Sequence, residues 1–101
     1  VEYDPDLGEA ARQRLADLSY DVAVRIGDGR EGWPEHAPFD ASYLTCAAAE
    51  PPSAVIEQTT TDGVVVGPFG SGHQELKRIV PGADGSYDTE TIAPVRFVQM
   101  R

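Results

Sequence analysis

Three short stretches of the sequence carry side chains that could hold a ligand or do chemistry on one. Gly27-Asp28-Gly29 is a tight turn that presents one carboxylate between two flexible backbone positions. Thr45-Cys46-Ala47-Ala48 closes a short apolar run, and the alanines leave nothing bulky to block a ligand. Glu2, in Val1-Glu2-Tyr3, is an acidic residue at the end of what reads as a strand. A carboxylate there can accept hydrogen bonds from both hydroxyls of a ribose. Each stretch also has a plainer reading. Gly-Asp-Gly is often only a hairpin-like turn, Cys46 can be a small buried hydrophobe, and Glu2 can be a solvated terminus. From spacing alone the plainer reading of Glu2 is the better one.

Other chemistries find little support. No His or Asn lies near Cys46 to sustain a thiolate nucleophile. One cysteine excludes an internal disulfide and a cysteine-based metal site built from this chain alone. His36 and His73 are isolated, without metal-ligand spacing, and read as surface loop residues, so no metal is expected. Gly70 to His73 is too short and too poorly placed for a phosphate loop. The chain has 17 acidic against 8 basic residues and a net charge of -9, which repels phosphate backbones and argues against nucleic acid. Lys77 is the only lysine. An acidic, lysine-poor surface suits high salt, where screening relieves self-repulsion. A halophilic source is the favoured reading, with an ordinary acidic protein as the alternative. No stretch is apolar enough to span a membrane and nothing resembles a signal peptide, so a reducing, cytoplasmic setting is expected.

The elements that would position these groups follow from caps and periodicity. Asp4 can cap a helix, Pro5 suits its first position, and Leu7, Ala10, Ala11, Leu15 and Leu18 recur at helical spacing. The pattern predicts a helix from about Pro5 to Leu18 with one apolar face. Val22, Val24 and Ile26 alternate with Ala23 and Arg25 and predict a strand. The loop Gly27 to Pro38 follows, in which Trp33 either packs underneath or walls a ligand. A strand over Phe39 to Cys46 and a short helix from Ser53 to about Gln58 come next. Thr59-Thr60-Thr61 ends that helix, Asp62-Gly63 signals a turn, and Val64-Val65-Val66 predicts a buried strand closed by Gly67-Pro68. Gln74 to Val80 and a long final strand from Ser86 to Arg101, bent near Pro94, read as an antiparallel hairpin across Ala83-Asp84-Gly85. The sum is the back part of an α/β sheet with the two loops on the ligand side of the strands.

An ordered set of residues gives this chain a closer identity. Gly27-Asp28-Gly29, Gly32, Glu35, Ala37-Pro38-Phe39-Asp40-Ala41 and Thr45-Cys46-Ala47-Ala48 come first, followed by Glu57-Gln58, Gly63, Gln74-Glu75-Leu76 and Pro94-Val95-Arg96-Phe97-Val98. Together they resemble the protein-L-isoaspartate O-methyltransferases over nearly the whole chain. Gly-Asp-Gly alone would be a weak signal, whereas the ordered set is strong. Thr59 to Asp62 departs from the family's usual Leu-Lys-Pro-Gly, and Phe69 stands where a smaller aliphatic residue is usual.

The resemblance implies a Rossmann-like class I methyltransferase sheet, of which residues 1–101 form the C-terminal portion of one S-adenosylmethionine-dependent domain. It assigns Glu2 to the ribose of S-adenosyl-L-methionine, Tyr3 to the vicinity of the adenine, and Asp28 and Gly29 to the adenine itself. Thr45 would lie beside the methyl group. Arg96 is a candidate contact to the isoaspartyl peptide, with an outward-facing surface role equally open. The implied activity is methylation of L-isoaspartyl carboxyl groups in damaged proteins. The family's substrate loop, with its catalytic serine or threonine, and its glycine-rich turn fall before the position of Glu2. No catalytic residue is therefore expected within 1–101. The isolated chain is expected to bind cofactor weakly, to catalyse nothing, and to leave a slot between strands open to self-association or to a complementing N-terminal segment. Two other readings compete: another S-adenosylmethionine-dependent methyltransferase, against which the Pro94 to Val98 match argues, and a non-catalytic remnant or interaction module.

Overall fold

The computed structural model describes all of residues 1–101. A four-stranded mixed sheet forms its centre. Its strands are β1 (Phe39–Tyr43), β2 (Thr59–Phe69), β3 (Gln74–Pro81) and β4 (Tyr87–Val95), and they lie side by side in chain order. β1 runs parallel to β2, with the short helix α2 (Ser53–Glu57) in the connection, and β2, β3 and β4 form an antiparallel meander. Helix α1 (Pro5–Asp17) precedes them. No helix is long and apolar enough to cross a membrane.

The core lies where the sheet meets α2 and the loop after β1. Ala48, Ile56, Val65, Phe69 and Ile79 are buried together, with Leu44, Val55 and Met100 packed against them. Phe69, larger than the family's usual residue, is thus a core side chain and not a surface anomaly. The expected hairpin is present. Tyr87 pairs with Pro81, Gly82 N–H donates to Ser86 O at 2.7 Å, and Gly85 takes a φ of 84° that the turn requires. α1 starts as the sequence predicts, with the Asp4 carboxylate accepting from Asp6 N at 2.9 Å and Leu7 N at 3.1 Å.

Several expectations are corrected. The Val22 to Ile26 strand reduces to one parallel bridge, Glu2 to Ile26, made by Glu2 N to Arg25 O and Gly27 N to Glu2 O, both 2.9 Å. The alternation was right for an extended segment, but Val22 is exposed and no ladder forms along it. The apolar face of α1 is not buried as a unit. Ala11 and Leu15 are half-buried, Leu7 and Leu18 are exposed, and Gly8 is the helix's one buried residue. A Cβ at position 8 would come within 2.6 Å of Ile26 Cγ1, so glycine lets the helix stand directly on that bridge.

Asp62-Gly63 does not end one element and begin another. β2 starts at Thr59, which pairs with Phe39, while Ala41 pairs with Val64. Thr60 to Gly63 therefore bow out as a bulge inside a continuous strand, which places the turn chemistry where the ladder is interrupted. The last strand stops at Val95 and not at Arg101. Beyond it the chain leaves the sheet and runs beside the loop after β1, through an Ala47–Gln99 bridge. β1 itself ends at Tyr43, so Thr45 and Cys46 lie past its carboxyl end.

Candidate cofactor cleft

The Gly27–Trp33 loop is built from the inside. Asp28 Oδ1 accepts from Arg30 N at 2.9 Å and caps a single 3-10 turn, Gly29–Glu31. Arg30 Nε lies 3.3 Å from the same oxygen, so Oδ2 takes neither contact. The Arg25 guanidinium donates to Gly32 O and lies 3.3 Å from Glu31 Oε2. The Gln58 carboxamide accepts from Trp33 N at 2.8 Å and donates to Glu31 O at 2.9 Å. Trp33 is half-buried and meets His36 edge-on, with ring centroids 4.2 Å apart.

Val1 to Tyr3 form a second wall, joined to the start of this loop by Gly27 N donating to Glu2 O at 2.9 Å. Glu2 Oε1 accepts from Asp4 N at 3.1 Å, which fixes the carboxylate beside the helix start. A third wall is the loop after β1. Ala47 N donates to Val98 O and Met100 N to Ala47 O, both at 2.7 Å, and these bonds bind the last residues to Thr45–Ala48. The chain's two ends also meet. Arg101 lies 3.8 Å from an Asp4 carboxylate oxygen, and its guanidinium carbon sits 6.0 Å from the centre of the Tyr3 ring.

These segments and the edge strand β1 line an open cleft of about 650 Å³, with Glu2, Tyr3, Gly29, Ser42, Tyr43 and Thr45 among its lining residues. That volume falls within the range of small-molecule sites, about 300–1,000 Å³. Four of the sequence-predicted residues, Glu2, Tyr3, Gly29 and Thr45, therefore share one cavity. Asp28 is half-buried beside Gly29 but is not part of the lining. Arg96 is exposed just beyond β4 and also lies outside the lining, although Val98, two residues on, reaches it. Trp33 lines the cleft and is also half-buried against His36. His36 and His73 are exposed, and no group of three or more His, Cys, Asp or Glu residues is arranged to hold a metal ion.

The electrostatics single out Cys46. Partial burial raises its thiol pKa, the Glu2 charge raises it further, and the Arg30 guanidinium works in the opposite direction. These influences together disfavour the thiolate, and Cys46 is half-buried rather than the fully buried hydrophobe of its plainer reading. Gln58, Gln74 and Met100 were given no role by residue type. Met100 lines the cleft, and its Cε would lie 3.9 Å from a Cβ placed on Gly29. Gln58 is the C-cap of α2 and directly precedes β2.

A family model described as Protein-L-isoaspartate(D-aspartate) O-methyltransferase matches residues 1–101. Protein-L-isoaspartate O-methyltransferase 2 of Polaromonas sp. (strain JS666) is 44% identical over 103 residues, covering 99% of this chain and 49% of that protein. Protein-L-isoaspartate O-methyltransferase 1 of Nitrosospira multiformis is 44% identical over 104 residues, covering 100% and 44%. The chain spans about half the length of the curated relatives it matches. Among solved structures, a protein-L-isoaspartate O-methyltransferase superposes with a TM-score of 0.92 at 24% identity, over 99% of this chain and 32% of that one. A Plasmodium falciparum structure described as a protein-L-isoaspartate O-methyltransferase in complex with S-adenosyl-L-homocysteine gives 0.81 at 19%, over 99% and 50%. The Rossmann-like α/β class expected from the sequence is borne out by these superpositions. With a full-length family match and relatives above two-fifths identity, the chain belongs to the protein-L-isoaspartate(D-aspartate) O-methyltransferase family.

Proposed function

We propose that residues 1–101 are one partial methyltransferase domain carrying the nucleoside-binding half of a methyl-transfer site. The ligand is S-adenosyl-L-methionine, in a protein that methylates L-isoaspartyl carboxyl groups of damaged proteins. The observation that carries this reading is the single cleft shared by Glu2, Tyr3, Gly29 and Thr45, which runs along the edge strand β1 to the loop past its carboxyl end. When bound, S-adenosyl-L-methionine supplies an electrophilic methyl group that an isoaspartyl carboxylate takes up in line to give a methyl ester.

The residues present fit such a group. Glu2, held by Asp4 N, offers its carboxylate to a ribose diol, and Tyr3 flanks the base. Gly29 brings bare backbone to the adenine edge, and Asp28 supports it with an oxygen not used in capping. Thr45 and Cys46 present small side chains where the sulfonium-bearing methionine arm must approach closely. Their task is alignment and exclusion of water more than proton transfer, because both reacting groups are already competent. No residue of 1–101 is assigned as catalytic. Arg96 stays a candidate peptide contact, since Val98 beside it enters the cleft. The net charge of -9 supports a protein adapted to high salt, and the lone free thiol of Cys46 supports a reducing, cytoplasmic location.

Calorimetric titration of S-adenosyl-L-homocysteine into the chain tests the reading. Saturable binding that is weakened by Glu2→Gln and by Asp28→Ala is expected. A folded chain that takes up no ligand would overturn it.

A further inference from the structure

We propose that Gln58, which lines the cleft, is a positioning residue for the adenine-facing loop, holding Asp28 and Gly29 at the rim through a carboxamide committed to loop backbone and not to the ligand. The inference rests on the reading of that cleft as a nucleoside site. Four observations carry it.

First, both ends of the carboxamide are occupied by loop backbone. Oε1 accepts from Trp33 N at 2.8 Å and Nε2 donates to Glu31 O at 2.9 Å. Second, Gln58 is itself held at both main-chain groups. Its N–H donates to Ala54 O at 3.0 Å, and its carbonyl accepts from Phe39 N at 2.7 Å. The side chain therefore projects from the junction of α2 and β2, against the start of β1, and ties the loop to the rigid sheet. Third, Gly32 lies between the two bonded residues with a φ of 64°, and a Cβ there would collide with the carboxamide. The loop is shaped around this side chain. Fourth, the loop has little regular structure of its own, only the 3-10 turn Gly29–Glu31. The other tethers are Gly27 N, which donates to Glu2 O at the loop's start, and Arg25, which reaches Gly32 O and Glu31.

A side chain that meets an N–H and a C=O two residues apart works like a piece of β-ladder laid across a loop. Removing it leaves a donor and an acceptor to find water and frees the backbone torsions around Gly32. The Arg25 contact would then act as a pivot, and Gly29 would lose its fixed distance to the cleft.

Trp33 is the only tryptophan, so fluorescence excited beyond the absorption of the tyrosines reports on this loop. The test uses the 101-residue chain and two variants. Gln58→Met keeps the size and removes both bonds, whereas Gln58→Glu keeps the acceptor and removes the donor. In Gln58→Met the Trp33 amide is expected to exchange about tenfold faster, as loss of one net hydrogen bond predicts. Acrylamide quenching of Trp33 should rise, while the amides of Val65 and Ile79 keep their protection. S-adenosyl-L-homocysteine affinity should fall by about tenfold, from the same lost bond. Gln58→Glu should keep Trp33 protected and fall between wild type and Gln58→Met in affinity. Unchanged Trp33 protection in Gln58→Met overturns the proposal. So does lost protection with undiminished affinity. If the wild-type chain binds no S-adenosyl-L-homocysteine, the cofactor reading fails, and the exchange and quenching results alone decide whether Gln58 orders the loop.

Discussion

The carboxamide of Gln74 pairs with the main chain of Phe97 as a second backbone would: Phe97 N donates to Oε1 at 2.7 Å and Nε2 donates to Phe97 O at 3.0 Å, 23 residues apart. Gln74 is buried, and the pair starts the segment that runs on to Val98 and Met100 against Ala47. Gln74→Met is expected to destabilise the chain by about 1–3 kcal/mol, from two part-buried hydrogen bonds of about 0.5–1.5 kcal/mol net each. Urea unfolding measures that change. Hydrogen exchange should show the Ala47 and Met100 amides losing protection first, and equal loss across β2 would contradict the local assignment.

The ionisation of Cys46 should follow its charged neighbours. Burial and then Glu2 raise the thiol above its ordinary value, and Arg30 lowers it. Glu2→Gln should move the pH midpoint of alkylation downward, and Arg30→Gln should move it upward. Rate against pH with a small neutral alkylating reagent reads both shifts. Movement in the same direction in the two variants would refute the electrostatic account.

Gly63 closes the bulge in β2 and has no room for a side chain. A Cβ there would stand 2.6 Å from Asp40 O and 2.9 Å from both Thr59 Cγ2 and Thr60 Oγ1. One of these neighbours is backbone and cannot swing away, so Gly63→Ala should cost about 1–3 kcal/mol through overpacking. Gly72 has nothing within 4 Å, so Gly72→Ala should stay within about 0.5 kcal/mol of wild type. Thermal unfolding of the pair supplies its own control, and equal melting temperatures would show that the bulge relaxes.

The turn between β3 and β4 carries an acid-sensitive contact. The Asp84 carboxylate accepts from the Ser86 hydroxyl and from Ser86 N at 3.2 Å, and these bonds lower its pKa. A depressed carboxyl contributes stability above its unfolded pKa and loses it as pH falls through the folded value. The turn should therefore loosen only below the ordinary carboxylate range. Ser86→Ala should shift the Asp84 titration, followed by NMR, upward. An unmoved titration would mean that the hydroxyl is not the main cause.

What the sequence made legible was chemistry confined to neighbours in the chain. Asp4 and Pro5 announced the helix start, Ala83-Asp84-Gly85 the hairpin, and Val64 to Val66 a buried strand, because caps, turns and β-branched runs act locally. The bulge was hidden because Asp62-Gly63 has the composition of a turn, and only pairing with β1 keeps it inside a strand. The apolar spacing of α1 correctly gave a helix but not its burial, which depends on what lies against it. In the site, Glu2, Tyr3, Gly29 and Thr45 could be marked by resemblance. Gln58 and Gln74 could not be given roles, because a glutamine's worth here lies in partners 25 and 23 residues away.

Sheet and cleft are also separated in time. β2, β3 and β4 each pair with the strand just before or after them, so their contacts close short loops. The cleft instead joins residues near position 2 to others near 45 and 100. Closing long loops costs more entropy and comes later in folding. In a refolding experiment with pulsed exchange, Val65 and Ile79 amides should become protected before those of Gly27 and Met100. The ligand site would then be the last part of the molecule to exist, and a nucleoside added during refolding would find no site until the meander is complete.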